Sequence, residues 1–151
     1  MADILHRVGF KAPIEKVYQA LTDRDRLAGW WTHRTQGESK VGSVVTFRFT
    51  TDGEEIGGFD MKVLELQPNR RVLWEVVDGP AEWIGTRISF DLKMDGDWAI
   101  LLLNHMGWKE PVEFMHHCST KWATFLLSLR DLVERDVGRP DPNDLKISNW
   151  H

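Results

Sequence analysis

The apolar residues between Pro111 and Val137 recur at alternating steps of three and four. This stripe consists of Met115, Cys118, Trp122, Phe125, Leu129 and Leu132, widened by Leu126 and Val133. The spacing predicts one amphipathic helix over 111–137, with Pro111 in its first turn and Gly138 just past its end. At about 1.5 Å per residue the helix would be roughly 40 Å long, so it needs a large apolar partner on one side.

The chain before this helix starts with a strand and two short helices. Ile4, His6, Val8 and Phe10 alternate with Leu5, Arg7 and Gly9, an imperfect alternation because Leu5 is apolar, and this predicts the strand. Pro13 then opens a short helix, and a second short helix over Asp23 to Trp31 ends in two adjacent tryptophans.

From Val41 onward the apolar period changes to two, which is typical of strands. Turn-forming residues divide this region into strands near 43–50, 56–66, 71–78, 83–94 and 98–106. With the first strand these make six, and a break at Gly57-Gly58 would make seven. The clearest alternation runs from Ile84 to Met94. Trp98 to Leu103 is apolar in both phases, which predicts cover on both sides or a subunit contact.

This order of elements predicts an α+β fold in which a curved antiparallel sheet of six or seven strands wraps around the long C-terminal helix. The length of 151 residues suits a single domain over 1–151. Because a curved sheet does not close tightly along a whole helix, we expect a cavity between the two.

Composition narrows the classes of partner. The net charge of -4 comes without a basic stripe, so we expect no nucleic-acid partner. No apolar run is long enough for membrane insertion. Cys118 is the single cysteine, which excludes an intrachain disulfide and favours a reducing, cytoplasmic location. Eight tryptophans against one tyrosine indicate broad apolar walls.

Four segments also match a known family in the same order: Ala12–Asp23, Trp30-Trp31, Leu66–Trp74 and His105–Trp108. Together they resemble the SRPBCC or START-like superfamily, in the branch related to the C-terminal domain of the activator of the heat-shock-protein-90 ATPase. The resemblance implies a helix-grip fold. It also implies an internal cavity that binds lipids, sterols, hormones or polyketides in various members, and that catalyses cyclisation or dehydration in a minority.

The aromatic and helix-stripe residues are the candidates for binding a ligand in this cavity. They are Trp30, Trp31, Phe47, Phe59, Trp74, Trp83, Phe90, Met115, Cys118 and Trp122. By the family's pattern, Trp30 and Trp31 lie near the cavity mouth. Each of these residues is also compatible with a purely structural place in the core.

His6, Asn104 and His105 are the candidates for catalysis. The first and last strands are neighbours in a helix-grip fold, so these side chains approach one another if they point inward. The alternative is a hydrogen-bonded histidine on the outer face of the sheet. The run His116-His117-Cys118 does not predict a metal site, because consecutive helical residues diverge by about 100°. We therefore expect no metal and no cofactor.

Three functions remain open at this stage. The first is a protein that binds a small apolar or amphipathic molecule between sheet and helix. The second is a polyketide-cyclase or dehydratase-like enzyme that uses a cavity histidine. The third is an interaction module, either with a chaperone partner or as a homodimer joined through 98–103 or Trp150.

Overall fold

A computed structural model describes residues 2–151. The elements in chain order are β1 (Ala2–Phe10), α1 (Ile14–Thr22), α2 (Arg24–Ala28), β2 (Arg34–Gln36), β3 (Val44–Thr51), β4 (Glu54–Gln67), β5 (Arg71–Asp78), β6 (Arg87–Asp95), β7 (Trp98–Trp108) and α3 (Glu113–Arg135). All strands belong to one antiparallel sheet in the order β1-β7-β6-β5-β4-β3-β2. The predicted α+β helix-grip fold is confirmed, with the first and last strands as neighbours.

The seventh strand does not come from the predicted break in the longest strand. β4 runs through Gly57 and Gly58, and the additional strand is β2, which pairs with β3. With only three residues, β2 is too short to show a period. β6 also begins later than predicted, at Arg87, because 80–86 form turns closed by backbone hydrogen bonds. Ile84 is accordingly exposed, as is Met94 at the other end, so both lie outside the dry face.

α3 is shorter than predicted at both ends. It starts after Val112, so Pro111 precedes the helix, and its C-terminal cap is Asp136 in the left-handed conformation with φ of 63°. Gly138 serves a different purpose, because a Cβ atom there would overlap the carbonyl oxygen of Gly29. It therefore allows residues 138–151, here called the C-terminal tail, to pass closely between α2 and α3.

α3 places its buried stripe against the inner face of the sheet and β1. The strand with apolar residues in both phases, β7, is buried on its inner face, whereas much of its outer face is half-buried or exposed. Ala99, Leu101 and Leu103 are buried in the main core. On the outer face Ile100 is also buried, next to the Trp98 ring that lies over Gly9. No helix in residues 2–151 is long and apolar enough to span a membrane.

Candidate functional site

Aromatic rings fill most of the space between α3 and the middle of the sheet. Trp31 lies at the centre of this packing, with its ring centroid 4.4 Å from Phe47, 5.2 Å from Trp122 and 6.0 Å from Trp74. The ring of Phe90 packs edge-on against Trp74 at 5.0 Å. The gap that the sequence predicts along the helix is therefore mostly closed by side chains.

A cavity of about 230 Å³ remains beside the N-terminal half of α3. It lies between the β3–β4 hairpin, the turns before β6 and the C-terminal tail, and we call it the aromatic cavity. Five of the predicted ligand-binding residues line it: Trp31, Phe59, Trp83, Cys118 and Trp122. The rings of Trp83 and Phe59 stack face to face at 4.1 Å with an interplanar angle of 9°, so together they form an aromatic wall.

The other five predicted residues lie outside the aromatic cavity: Trp30, Phe47, Trp74, Phe90 and Met115. Phe47, Trp74 and Phe90 are completely buried, and the rings around them occupy the space that a ligand would need. Trp30 is buried as well and donates its indole N–H to the carbonyl oxygen of Ala20, which ties the end of α1 to the following turn. Met115 packs against the core without reaching the cavity.

The cavity also has lining residues that the sequence analysis missed. Apolar examples are Phe49, Ile56, Phe114 and Phe125, and polar examples are His117, Lys121, Asp144 and His151. His117, Lys121 and Phe125 follow one another at steps of four on α3, so their shared face was visible in the sequence. The residues from the tail carry no such period, because the tail has no regular secondary structure.

The polar wall of the cavity is built around a buried lysine. Lys121 donates from its Nζ to Asp144 Oδ2 at 2.5 Å and to the carbonyl oxygen of Leu145 at 2.7 Å. Only 12% of the Lys121 side chain is exposed. The pKa of the neighbouring His117 is lowered by its burial, and further by the positive charges of Lys121 and His151. His117 is therefore held towards its neutral form at the cavity wall.

His105 points inward as the catalytic hypothesis requires, but both its ring nitrogens are engaged. Nδ1 accepts the indole N–H of Trp122 at 3.2 Å, so the proton of the neutral ring lies on Nε2. Nε2 then donates to Thr86 Oγ1 at 2.8 Å, and this hydroxyl donates to the carbonyl oxygen of Trp83 at 2.6 Å. Burial lowers the pKa of His105 to about 3. The side chain is a fixed neutral link between β7, α3 and the turn before β6.

The other two catalytic candidates do not line the cavity. His6 faces α3, where its Nε2 lies 3.1 Å from the carbonyl oxygen and 3.2 Å from the hydroxyl of Ser119. Asn104 lies on the outer face of the sheet and donates to Ser89 Oγ and Asp91 Oδ2, both at 3.0 Å. Asn104 and His105 are consecutive strand residues that point to opposite faces, so of this pair only His105 points inward.

Cys118 combines the cavity wall with a structural contact. Its Sγ accepts the indole N–H of Trp83 at 3.3 Å. Burial raises the pKa of the thiol to about 12, so the reactive thiolate is scarce at neutral pH. Cys118 is thus an apolar lining residue and not a nucleophile.

Comparison with known proteins places this geometry in a family. Residues 11–134 match the family model of Activator of Hsp90 ATPase homolog 1-like protein. The chain belongs to this family. A member from Colwellia psychrerythraea, solved in solution as the Aha1 dimer, is 45% identical; the match covers 89% of this chain and 98% of that one, with a TM-score of 0.79.

More distant structures share the fold alone. A protein from Staphylococcus saprophyticus is 16% identical, with 92% of this chain and 97% of that chain covered and a TM-score of 0.75. CalU16 from Micromonospora echinospora is 21% identical, with 93% and 77% covered and a TM-score of 0.70. The search of curated proteins returned no match.

Proposed function

We propose that this family member binds a small, flat apolar molecule with one polar group in the aromatic cavity. The observation that carries the proposal is the stacked wall of Trp83 and Phe59 next to a polar wall on α3. Large planar side chains bury much apolar area against a ligand ring, and the nearby polar groups fix its orientation. The volume of about 230 Å³ favours a ligand of one or two fused rings over a sterol or a long lipid.

Binding is a better interpretation than catalysis by the predicted residues. His105 has no free ring nitrogen, and His6 and Asn104 contact groups outside the cavity. The indole N–H of Trp83 is the donor best placed for a ligand, because its present acceptor is only the sulfur of Cys118, which is a weak one. The buried thiol and the family supported by the comparisons also favour a cytoplasmic location.

The experiment uses 2-naphthol as the probe and a matched pair of variants at Cys118. Both Cys118→Leu and Cys118→Ala remove the acceptor of the Trp83 N–H, but only the larger leucine side chain fills part of the cavity. We expect saturable quenching of tryptophan fluorescence in the wild type and in Cys118→Ala. Affinity should fall at least about tenfold in Cys118→Leu, a loss of about 1.4 kcal/mol.

Equal affinity in the two Cys118 variants would contradict the proposal, because the probe would then bind elsewhere. Native mass spectrometry of freshly purified protein adds an independent measurement. A noncovalent mass excess that disappears on denaturation, and that is weaker in Cys118→Leu than in Cys118→Ala, would support the same site and give the mass of the natural ligand.

We also propose that the chain forms a homodimer through the outer face of β1 and β7. The family member from Colwellia psychrerythraea is described as a dimer. In this chain the outer face of β1 and β7 exposes Leu5 and Trp98. It also carries the ion pair of Arg7 with Asp95 at 3.4 Å. A patch with an apolar centre and both signs of charge is able to pair with its own copy across a twofold axis.

Sedimentation velocity tests this second proposal. Leu5→Glu should shift the chain from dimer to monomer, because it would bury two unpaired carboxylates at the contact. Ile84→Glu is the control, since Ile84 is similarly apolar and exposed but lies in the turns before β6. A monomeric wild type, or a dimer that survives Leu5→Glu, would contradict the proposed interface.

A further inference from the structure

Two carboxylates and one imidazole come together where the C-terminal tail meets β3 and α3. Asp141, Asp144 and His151 each offer one ligand atom, and these atoms lie within 4.8 Å of one another. Asp144 and His151 also belong to the polar wall of the aromatic cavity. The cluster is therefore partly covered by protein and partly next to the cavity.

Asp141 is held rigidly in this cluster. Only 1% of its surface is exposed. Its backbone N–H donates to the carbonyl oxygen of Trp31 at 2.8 Å, and its own carbonyl oxygen accepts from the N–H of His33 at 3.2 Å. Its Oδ2 accepts the backbone N–H of Thr50 at 2.8 Å. The other oxygen, Oδ1, has no hydrogen-bond partner in residues 2–151 and lies 4.0 Å from His151 Nε2.

Asp144 and His151 each have an unpaired side-chain atom as well. Asp144 uses Oδ2 for Lys121, and its Oδ1 is buried without a hydrogen-bond partner among the described residues. His151 Nε2 lies 3.3 Å from Asp144 Oδ2, but the geometry is not that of a hydrogen bond. Because buried polar atoms are nearly always paired, the unpaired Asp141 Oδ1 and His151 Nε2, which lie 4.0 Å apart, indicate a group between them.

A protonated His151 would balance the charge but would not explain this geometry. An imidazolium N–H satisfies a buried carboxylate by pointing at one of its oxygens, and Nε2 makes no such bond here. Lys121 already neutralises one of the two carboxylates. The cluster therefore sets two buried carboxyl groups against the single ammonium group of Lys121, which leaves room for a second cation.

We propose that Asp141, Asp144 and His151 bind a divalent transition-metal ion of the Zn²⁺ type. Two carboxylate oxygens and one imidazole nitrogen are ligands that Zn²⁺ accepts at about 2.0–2.2 Å, whereas Ca²⁺ and Mg²⁺ prefer oxygen alone. The present separations of 3.3 and 4.0 Å need only a small contraction of the tail to reach the spacing around one ion. Three protein ligands leave a fourth position open.

Binding at this site would fasten the tail to the body of the protein. Asp141 is already fixed to β3 through Thr50, and Asp144 to α3 through Lys121. His151 lies at the end of a turn in which its carbonyl oxygen accepts the N–H of Ile147 at 2.8 Å. The ion would join these three points, so it would stabilise the wall of the aromatic cavity without depending on a ligand there.

The sequence pattern predicted no metal site, because the histidines and the cysteine on α3 diverge and the chain has no His-x-x-x-His pair. The three proposed ligands instead come from an irregular segment and have no recognised metal-binding spacing. Their convergence depends on the path of the tail, which only the structure gives.

Isothermal titration of the chelator-treated full chain with ZnCl₂ tests the proposal. We expect one ion per chain in the wild type. The variants Asp144→Asn and His151→Gln should each weaken Zn²⁺ binding by about 100-fold. Removing a residue that only hydrogen-bonds to a metal ligand already costs about 10–100-fold in affinity, so the loss of a ligand itself should cost at least as much. His116→Gln is the matched control, because His116 is exposed on α3, and it should leave the affinity unchanged.

Titration with Co²⁺ provides a second measurement that does not require comparison of variants. We expect weak d–d absorption without a thiolate charge-transfer band, since the proposed ligands exclude Cys118. The proposal would be overturned by the absence of stoichiometric binding, by unchanged affinity in both ligand variants, or by a thiolate band. These outcomes are independent of the 2-naphthol experiment, so the two proposals succeed or fail separately.

Discussion

Replacing Trp31 with alanine is expected to lower the free energy of unfolding by about 3–5 kcal/mol. The side chain is 2% exposed and its ring packs against Phe47, Trp74 and Trp122. The variant loses the apolar area of the indole and leaves a cavity among rigid neighbouring rings, which are unable to collapse into the space. Urea denaturation monitored by circular dichroism measures the change.

Trp150→Ala is the matched control for this prediction. Trp150 is also a tryptophan that lines the aromatic cavity, but it is 48% exposed and lies in the C-terminal tail. Its loss should cost less than about 1 kcal/mol, because most substitutions at exposed positions have small effects. Similar losses in the two variants would show that the interior rings around Trp31 are not the main support of the fold.

The long helix and the sheet were predictable because their patterns repeat. α3 has 23 residues, so the period of its buried stripe is established several times over. The ends were less certain, since Pro111 and Asp136 are single residues whose conformation depends on their surroundings. β2 was not predicted, because a strand of three residues is too short for its pattern to repeat.

The candidate site was predictable only in part. The sequence identified the cavity residues that belong to repeating elements, such as Trp83's partner Phe59 on β4 and Trp122 on α3. It did not separate these from Trp74, which has the same inward phase but lies deeper in the packing. That distinction depends on how neighbouring rings fill the interior, and periodicity carries no information about volume.

In β7, the face of the sheet to which each side chain points is determined by pairing with a strand that is distant in sequence. Its residues are apolar on both faces, so the sequence alone did not determine whether Asn104 or His105 points inward. The pairing of Ile4 with His105 places His105 on the inner face, because Ile4 is buried there. The tail presents a harder case, since Asp141 meets Thr50 far away in sequence without any pattern that relates them.

Lowering the pH from 6.5 towards 3 is expected to destabilise the protein through His105 by about 1.4 kcal/mol per pH unit. In the folded state burial lowers the pKa of His105 from 6.5 to about 3. In this pH range His105 binds a proton in the unfolded chain but not in the folded chain, so acid favours unfolding. Above pH 6.5 both states are neutral and this contribution to pH dependence vanishes. Over the full range the loss from this one group reaches about 4–5 kcal/mol.

His105→Gln separates this effect from the titration of carboxylates, which both proteins share. Glutamine retains an acceptor and a donor for the Trp122 and Thr86 contacts but has no proton equilibrium. We expect the wild type to exceed the variant in free energy of unfolding by the largest margin at pH 7. The margin should shrink as the pH falls to 4, because only the wild type loses stability through this position. A margin independent of pH would mean that the pKa of His105 is the same in the folded and unfolded states, and hence that burial does not hold the ring neutral.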